Sequence, residues 1–288
     1  MRDLKLLTTA CILMFITAIS GCKNSAKKGE FRNSDMYDIS KPHIINLPQE
    51  LDEISGIAYY AKDTSVFAIV DEDGLLFKVP IKYPDQAREW RFEEKKDFED
   101  LILKDSIFYT LVSNGNIIAI KFEGSKKIST DKLDFGNTTK KENEFESLYF
   151  DDSTGKMIVL CKDCEDDKKK KVSSFYYDDS SKSFLPYMEI DVTVIAKKLK
   201  MDKLSLKPSA AAINPVTKDL YILCSVSKLL VITDRLGNFK DVFKLNPEIY
   251  KQPEGLAFTP AGDLIISNEV YLEGYATLLI LKNKKKGK

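Results

Sequence analysis

Residues 145–163 read FESLYFDDSTGKMIVLCKD. An apolar strand with an acid near its start, Glu146, runs into Asp151, Asp152, Ser153, Thr154 and Gly155, and a more strongly apolar strand returns from them. Asp, Ser and Gly suit a tight hairpin because they bond their own backbone or accept unusual backbone angles. The same unit recurs. ISGIAYY (54–60), FEDLIL (98–103), PSAAAI (208–213) and PEGLAF (253–258) open like FESLYF, with a small or acidic residue near the start. They lead to the apolar runs SVFAIVDE, SIFYTLVSN, DLYILCSV and DLIISNE, as FESLYF leads to KMIVLCKD. Third strands follow as LLFKVPI, NIIAIKF, VSSFYYDD, KLLVITD and ATLLILK.

Ser55, Glu99, Glu146, Ser209 and Glu254 are equivalent positions, so the periods are 44, 47, 63 and 45 residues. Apart from the longest, this is the length of a four-stranded propeller blade. The long interval contains DVTVIAKKLKMDKLSLKP (191–208), whose apolar spacing fits a short helix inserted between the third and fourth units. Fourth strands are present as REWRFEE, KISTDKLDF, SFLPYMEI and FKDVFKL, but the fifth unit ends at Leu281 without one. HIINLP (43–48) is an unclaimed strand at the other end. If it supplies the missing outer strand, the ring closes and no open sheet edge remains. The sequence therefore predicts an all-β propeller over residues 43–282, with five blades favoured over six and the ring closed by an N-terminal strand. A flat β-sandwich is the competing fold, and the regular period counts against it.

Outside that domain, MRDLKLLTTACILMFITAISGC joins a charged start to an apolar run that ends in small residues and Cys22. This reads as a secretory leader, too short for a comfortable membrane span. Ile19-Ser20-Gly21-Cys22 resembles a bacterial lipobox, which implies cleavage after residue 21, acylation of Cys22 and a lipid-anchored protein of the bacterial envelope, outside the cytoplasm. Residues 23–42 are polar, lack apolar periodicity and read as a flexible tether; residues 283–288 read as a basic tail. The chain has 44 basic and 44 acidic residues. That balance argues against a nucleic-acid partner, which needs a concentrated basic face. The short lysine runs at 168–171 and 284–286 are expected to be solvated.

The stretches LDEISGIAYYAKDTSVFAIVDEDGLLFKV, KDFEDLIL, NEFESLYFDDSTGKMIVL, KPSAAAINPVTKDLYIL and QPEGLAFTPAGDLIISNE resemble the SdiA-regulated family of bacterial envelope β-propellers. Related propellers such as gluconolactonases and NHL-repeat proteins share the EGLAF phrasing. The unit at Ser209 departs from the pattern, because it has no acid where three others do.

In a propeller the first strand of each blade lines the channel and the second returns antiparallel, so the starts of the first strands and the ends of the second share one face. Glu99, Glu146 and Glu254 should therefore ring a channel mouth, completed by Ser55 and Ser209. Asp71, Glu72, Asp73, Asn114, Asp163, Asn268 and Glu269 should gather on that face. Clustered carboxylates repel one another unless a cation or basic groups compensate. Ca²⁺, which takes six to eight oxygen ligands, is one solution, with Glu99, Glu146, Glu254 and Asn268 as candidate ligands. The alternative is that the glutamates accept hydrogen bonds from neighbouring blades or pair with Arg88, Arg91 or a lysine. DEDG at 71–74 lacks the rest of a calcium-loop pattern and reads as a turn. Cys161 and Cys164 leave two readings open, a local disulfide or free thiols; a zinc site lacks a second ligand pair.

His43 is the only histidine. That weighs against a Ser-His-Asp hydrolase or a histidine-rich zinc centre. Two function classes remain. The favoured one is an envelope module that binds a ligand or protein partner through the acidic face. The other is a metal-dependent hydrolase; the resemblance to gluconolactonase-like propellers implies Glu146, Glu254 and Asn268 as its site.

Overall fold

The structure, a computed structural model, describes residues 31–124, 127–136 and 143–285. The leader and Cys22 lie outside the described residues. Five four-stranded antiparallel sheets form the body. Blade 1 contains β2 (Ile54–Tyr60), β3 (Ser65–Val70), β4 (Leu75–Pro80) and β5 (Arg88–Arg91). Blade 2 contains β6 (Phe98–Lys104), β7 (Ile107–Val112), β8 (Ile117–Glu123) and β9 (Lys127–Leu133). Blade 3 contains β10 (Glu144–Asp151), β11 (Lys156–Asp163), β12 (Lys171–Asp178) and β13 (Ser183–Asp191). Helix α1 (Val192–Leu199) follows, and then blade 4 with β14 (Ala210–Ile213), β15 (Leu220–Cys224), β16 (Leu229–Thr233) and β17 (Phe239–Lys244). Blade 5 contains β18 (Pro253–Phe258), β19 (Leu264–Asn268) and β20 (Thr277–Leu281), completed by β1 (His43–Asn46).

Closure is by β1 lying antiparallel on β20, with His43 opposite Ile280 and Asn46 opposite Thr277. The first strands β2, β6, β10, β14 and β18 pack side by side in that order, and β18 returns to β2. This is a five-bladed propeller with both ends of the domain in one blade.

Its core lies between blades, in layers where each sheet buries one face on the next. Phe67, Leu76, Phe98 and Phe108 fill the layer between blades 1 and 2, and Phe135, Phe145, Val159 and Phe184 that between blades 2 and 3. Trp90 belongs to the first of these, packed edge-on against Phe122, so it serves packing. Helix α1 buries Val192, Ile195 and Ala196 between blades 3 and 4, with the Asp191 carboxylate capping the Thr193 amide at 2.8 Å.

The innermost strands approach so closely that backbone meets backbone. A Cβ on Gly56 would lie 2.4 Å from the Asp100 Cα, and one on Gly255 would lie 2.5 Å from the Ser55 carbonyl. Side chains fasten the same contacts. The fully buried Asp100 accepts from the Leu101 amide and, across the blade boundary, from the Leu148 amide, both at 2.8 Å. The Ser209 hydroxyl donates to the Pro253 carbonyl at 3.0 Å, joining blades 4 and 5, and that of Ser267 donates to the Ser55 carbonyl at 2.9 Å, joining blades 5 and 1.

Two boundaries differ from expectation. Residues 34–41 are not a tether but a docked arm, with Met36, Tyr37 and Ile39 buried between blades 4 and 5. The Tyr37 hydroxyl donates to the Gly262 carbonyl at 2.6 Å and accepts from the Asn214 amide at 2.8 Å, and the Tyr250 hydroxyl donates to the Ile39 carbonyl. Three apolar side chains that plug one crevice carry no period, so the pattern could not reveal them. Likewise Asn283 is buried, and the Lys284 amide donates to the Met36 carbonyl, so the start of the supposed basic tail is also docked.

Two outcomes follow for stability. A chain starting at Phe31 should melt with the longer chain, whereas one starting at Pro42, or carrying Tyr37→Ala, should lose about 3–5 kcal/mol in a urea titration. Asp100→Asn keeps the shape but turns an N–H toward a backbone donor; it should cost about 1–3 kcal/mol, against under about 0.5 kcal/mol for the exposed Asp105→Asn.

Candidate functional site

The hairpins at the starts of four blades are irregular at one equivalent place. Pairing between β10 and β11 jumps from Phe145 to Ser147, that between β6 and β7 from Phe98 to Asp100, and that between β18 and β19 from Pro253 to Gly255. In blade 1 it jumps from Ile54 to Ile57. The skipped residues are Glu146, Glu99, Glu254 and the Ser55–Gly56 pair. A bulge leaves its extra residue unpaired and re-aims the side chain. Here the bulges coincide with the three glutamates and Ser55, which line one cavity of about 420 Å³ at the channel mouth.

The same cavity takes Asp71 and Asn114 from beyond the ends of β3 and β7, Asp97 from just before β6, Glu144 from the first position of β10, and Glu269 from beyond β19. Among the described residues seven carboxylates thus line it, with Lys162 as the one basic group. Lys162 reaches from β11 to form an ion pair with Glu146 and lies 3.6 Å from Glu144. Ser209 is not part of the lining, because its hydroxyl is turned to the Pro253 carbonyl. Asn268 is also outside. Its side-chain amide donates to the Ile249 carbonyl at 2.9 Å and to the Thr277 hydroxyl at 3.3 Å. Asp163 pairs with Lys207 at 2.7 Å, and Glu72 and Asp73 lie within 3.7 Å of Lys95.

Burial and crowding set the electrostatics. Burial first, and then the charges of Glu146 and Asp97, push Glu99 up to about 10. Burial and Glu146 raise Glu254 to about 8. Asp71 rises to about 7 through burial and a hydrogen bond with Asp97. Burial also raises Glu146, although Lys162 opposes it. For Lys162, burial favours the neutral amine, but the bond to Glu146 and the charges of Glu99 and Glu144 outweigh it, so its net shift is upward. Around neutral pH the mouth therefore holds protonated acids beside ionised ones, and an incoming cation competes with protons and with the Lys162 ammonium.

The donors are oxygens, which suits a hard cation. They are not drawn together. Among the described residues the acid or cysteine trio with ligand atoms within 4.8 Å of one another is Cys161, Cys164 and Asp167, and its two sulfurs form a disulfide. Asp167 itself bonds Ser173. A cation at the mouth would be held partly through water.

Asp97, Glu144 and Lys162 escaped the sequence reading. The two acids had a signal, since each stands two residues before a strand glutamate, in KDFED and NEFES, and residues two apart share a face of a strand. Lys162 had none. The opposite mouth is lined by Ala58, Leu101, Ala211 and Leu256 together with the ion-paired Lys104 and Asp152, so the crowding of acids is confined to one end of the channel.

The raised carboxyls give stability a definite pH dependence. Unfolded Asp and Glu titrate near about 4, so between there and the value of about 10 reached by Glu99 the folded state binds more protons than the unfolded chain and loses stability as pH rises. Without added metal, the urea midpoint should fall from pH 5 to pH 8, and Glu254→Gln should flatten the fall; a midpoint constant over that range would show the mouth uncoupled from folding.

No curated protein sequence matches this chain. Among solved structures, a glutaminyl cyclase from Myxococcus xanthus is similar with a TM-score of 0.56 at 13% identity, over 83% of this chain and 94% of that one. A luciferin-regenerating enzyme aligns with a TM-score of 0.50 at 13% identity, over 85% of this chain and 96% of that one. The PQQ-bound aldose sugar dehydrogenase from Streptomyces coelicolor gives 0.50 at 10% identity, over 84% and 98%. At these identities the likeness concerns the fold alone. The family model named SdiA-regulated matches residues 37–272, a span that includes Tyr37 and Ile39 of the arm and every strand of the five blades except β20. The protein belongs to the SdiA-regulated family.

Proposed function

We propose that the protein is a lipid-anchored envelope binding module whose acidic channel mouth receives a cationic group, either a partly hydrated Ca²⁺ or an amine of a ligand or partner protein. The observation that carries this reading is the Lys162 ammonium held by Glu146 in a cavity with seven carboxylates. One internal cation is in place, and the remaining negative charge exceeds what it neutralises. The lipobox-like sequence ending at Cys22 supports the address, and a Cys161–Cys164 disulfide suits an oxidising compartment. The proposed attachment rests on Cys22. Among the described residues no helix is long and apolar enough to cross a membrane.

The hydrolase reading has less support. Of Glu146, Glu254 and Asn268, the asparagine does not line the cavity, and its amide nitrogen bonds the Ile249 carbonyl and the Thr277 hydroxyl.

A ligand that binds only the folded state stabilises it by about 2.7 kcal/mol at a hundredfold excess over Kd, or about 5–10 °C for a domain of this size. Melts with calcium, with spermidine and with chelator test the proposal. Either cation should raise the wild-type Tm, and Glu146→Gln and Glu254→Gln should blunt the rise. Lys162→Met, which removes the resident ammonium, should enlarge it. Indifference of all four proteins to both cations would refute the binding role. Lipid labelling of the wild type, abolished by Cys22→Ser, tests the anchor.

A further inference from the structure

The face that carries the acidic mouth bears an opposite feature at its edge. The loop after β11, helix α1 and the segment after it enclose a notch of about 970 Å³ between blades 3 and 4. Six exposed lysines line it: Lys168, Lys169 and Lys170 from the loop, and Lys197, Lys200 and Lys203 from the helix end and beyond. Its floor is apolar, made by Val192, Ala196 and Leu204, and Met201 at its rim is 43% exposed. Asp202 is the single acid in the lining. The nearby lysines are otherwise engaged, Lys171 with Glu189 and Lys207 with Asp163. Among the described residues none of the six forms an ion pair.

In a chain with as many acids as bases, six lysines around one concavity outnumber Asp202 in its lining and Glu165 and Asp166 in the adjoining loop, which marks a local excess of positive charge. Lysines are mobile point charges rather than rigid forks, so they suit a surface of many phosphates better than one fixed anion. Their long stems can also cover apolar surface while the ammonium stays in water. A small phosphate would leave the exposed Met201 and the apolar floor uncovered, whereas a bilayer interface can contact both.

The course of the chain points the same way. Arg32, at the start of the described body, stacks at 4.0 Å on Phe243 of β17 and donates to the Val242 carbonyl at 2.9 Å. Helix α1 packs on the same strand. Cys22 precedes Arg32 by ten residues, so a lipid on Cys22 can lie at most about 35 Å from that edge of the ring.

We propose that this lysine notch docks on a bilayer surface rich in anionic phospholipid, holding the anchored propeller by its blade 3–4 edge. The inference rests on the proposed anchor only for the chain-length step, and the two can fail separately.

The test uses the full chain as purified from a bacterial host, mixed with vesicles of phosphatidylcholine alone or of phosphatidylcholine with phosphatidylglycerol. The rate at which a water-soluble acylating reagent modifies each lysine is read by mass spectrometry. On anionic vesicles Lys197, Lys200 and Lys203 should react at least about fivefold more slowly, the factor corresponding to one lysine near an anionic surface. Lys62 and Lys82 on blade 1 should be unchanged, and high salt should abolish the protection. Lys200→Glu with Lys203→Glu, both exposed, should remove the protection of Lys197. Equal rates on the two vesicles would overturn the proposal, as would equal protection by inorganic polyphosphate beside neutral vesicles, which would make a soluble polyanion the partner. Flotation with neutral vesicles reports the anchor independently: a chain that does not float but is protected on anionic vesicles refutes the anchor and upholds the notch.

Discussion

Five first strands share one axis, and at one level the space between them is too small for an ordinary side chain on every strand. At the tightest point Gly56 lies against Asp100 and Gly255 against the Ser55 carbonyl, and no larger residue fits either place without moving backbone. Where a side chain does stand on that level, it has to bond its neighbour. Asp100 does so with the Leu148 amide, and Ser209 with the Pro253 carbonyl. An unpaired polar group in so dry a place would cost more than the bond itself contributes. The interlayer cores depend on these contacts, because each sheet can bury its face only if its inner strand holds the correct distance from the next.

The same constraint produces the acidic mouth. One residue earlier in three blades, a bulge releases a glutamate from the ladder and the cavity collects it. Glu99 and Asp100 are adjacent in sequence and opposite in role. Asp100 is sealed between blades with backbone amides on both oxygens, while Glu99 faces a cavity with other carboxylates and is pushed up to about 10. Charge on the acidic face is arranged in two zones, carboxylates at the axis and lysines at the edge of blades 3 and 4. A neutral composition thus conceals two strong local fields of opposite sign.

The arm and the C-terminal residues show how the ring is locked after it closes. β1 completes blade 5, but Tyr37 and Ile39 fill the crevice beside it, and Asn283 and Lys284 are bonded alongside. Both ends of the domain are therefore held by buried contacts as well as by strand pairing.

From the sequence alone came the blade count, the strand order, closure by HIINLP and the convergence of Glu99, Glu146 and Glu254 on one face. All of these depend on period, and period is written in the order of apolar residues. Where a side chain points at an irregular position is not. Asn268 has the residue type and location of a ligand, yet the nearness of Ile249 and Thr277 turns it away. Lys162 enters the mouth only because β11 ends beside Glu146, and Met36, Tyr37 and Ile39 are buried only because a crevice between two distant blades happens to fit them. These outcomes belong to the tertiary structure, since each is a contact between segments whose spacing along the chain carries no trace of their meeting.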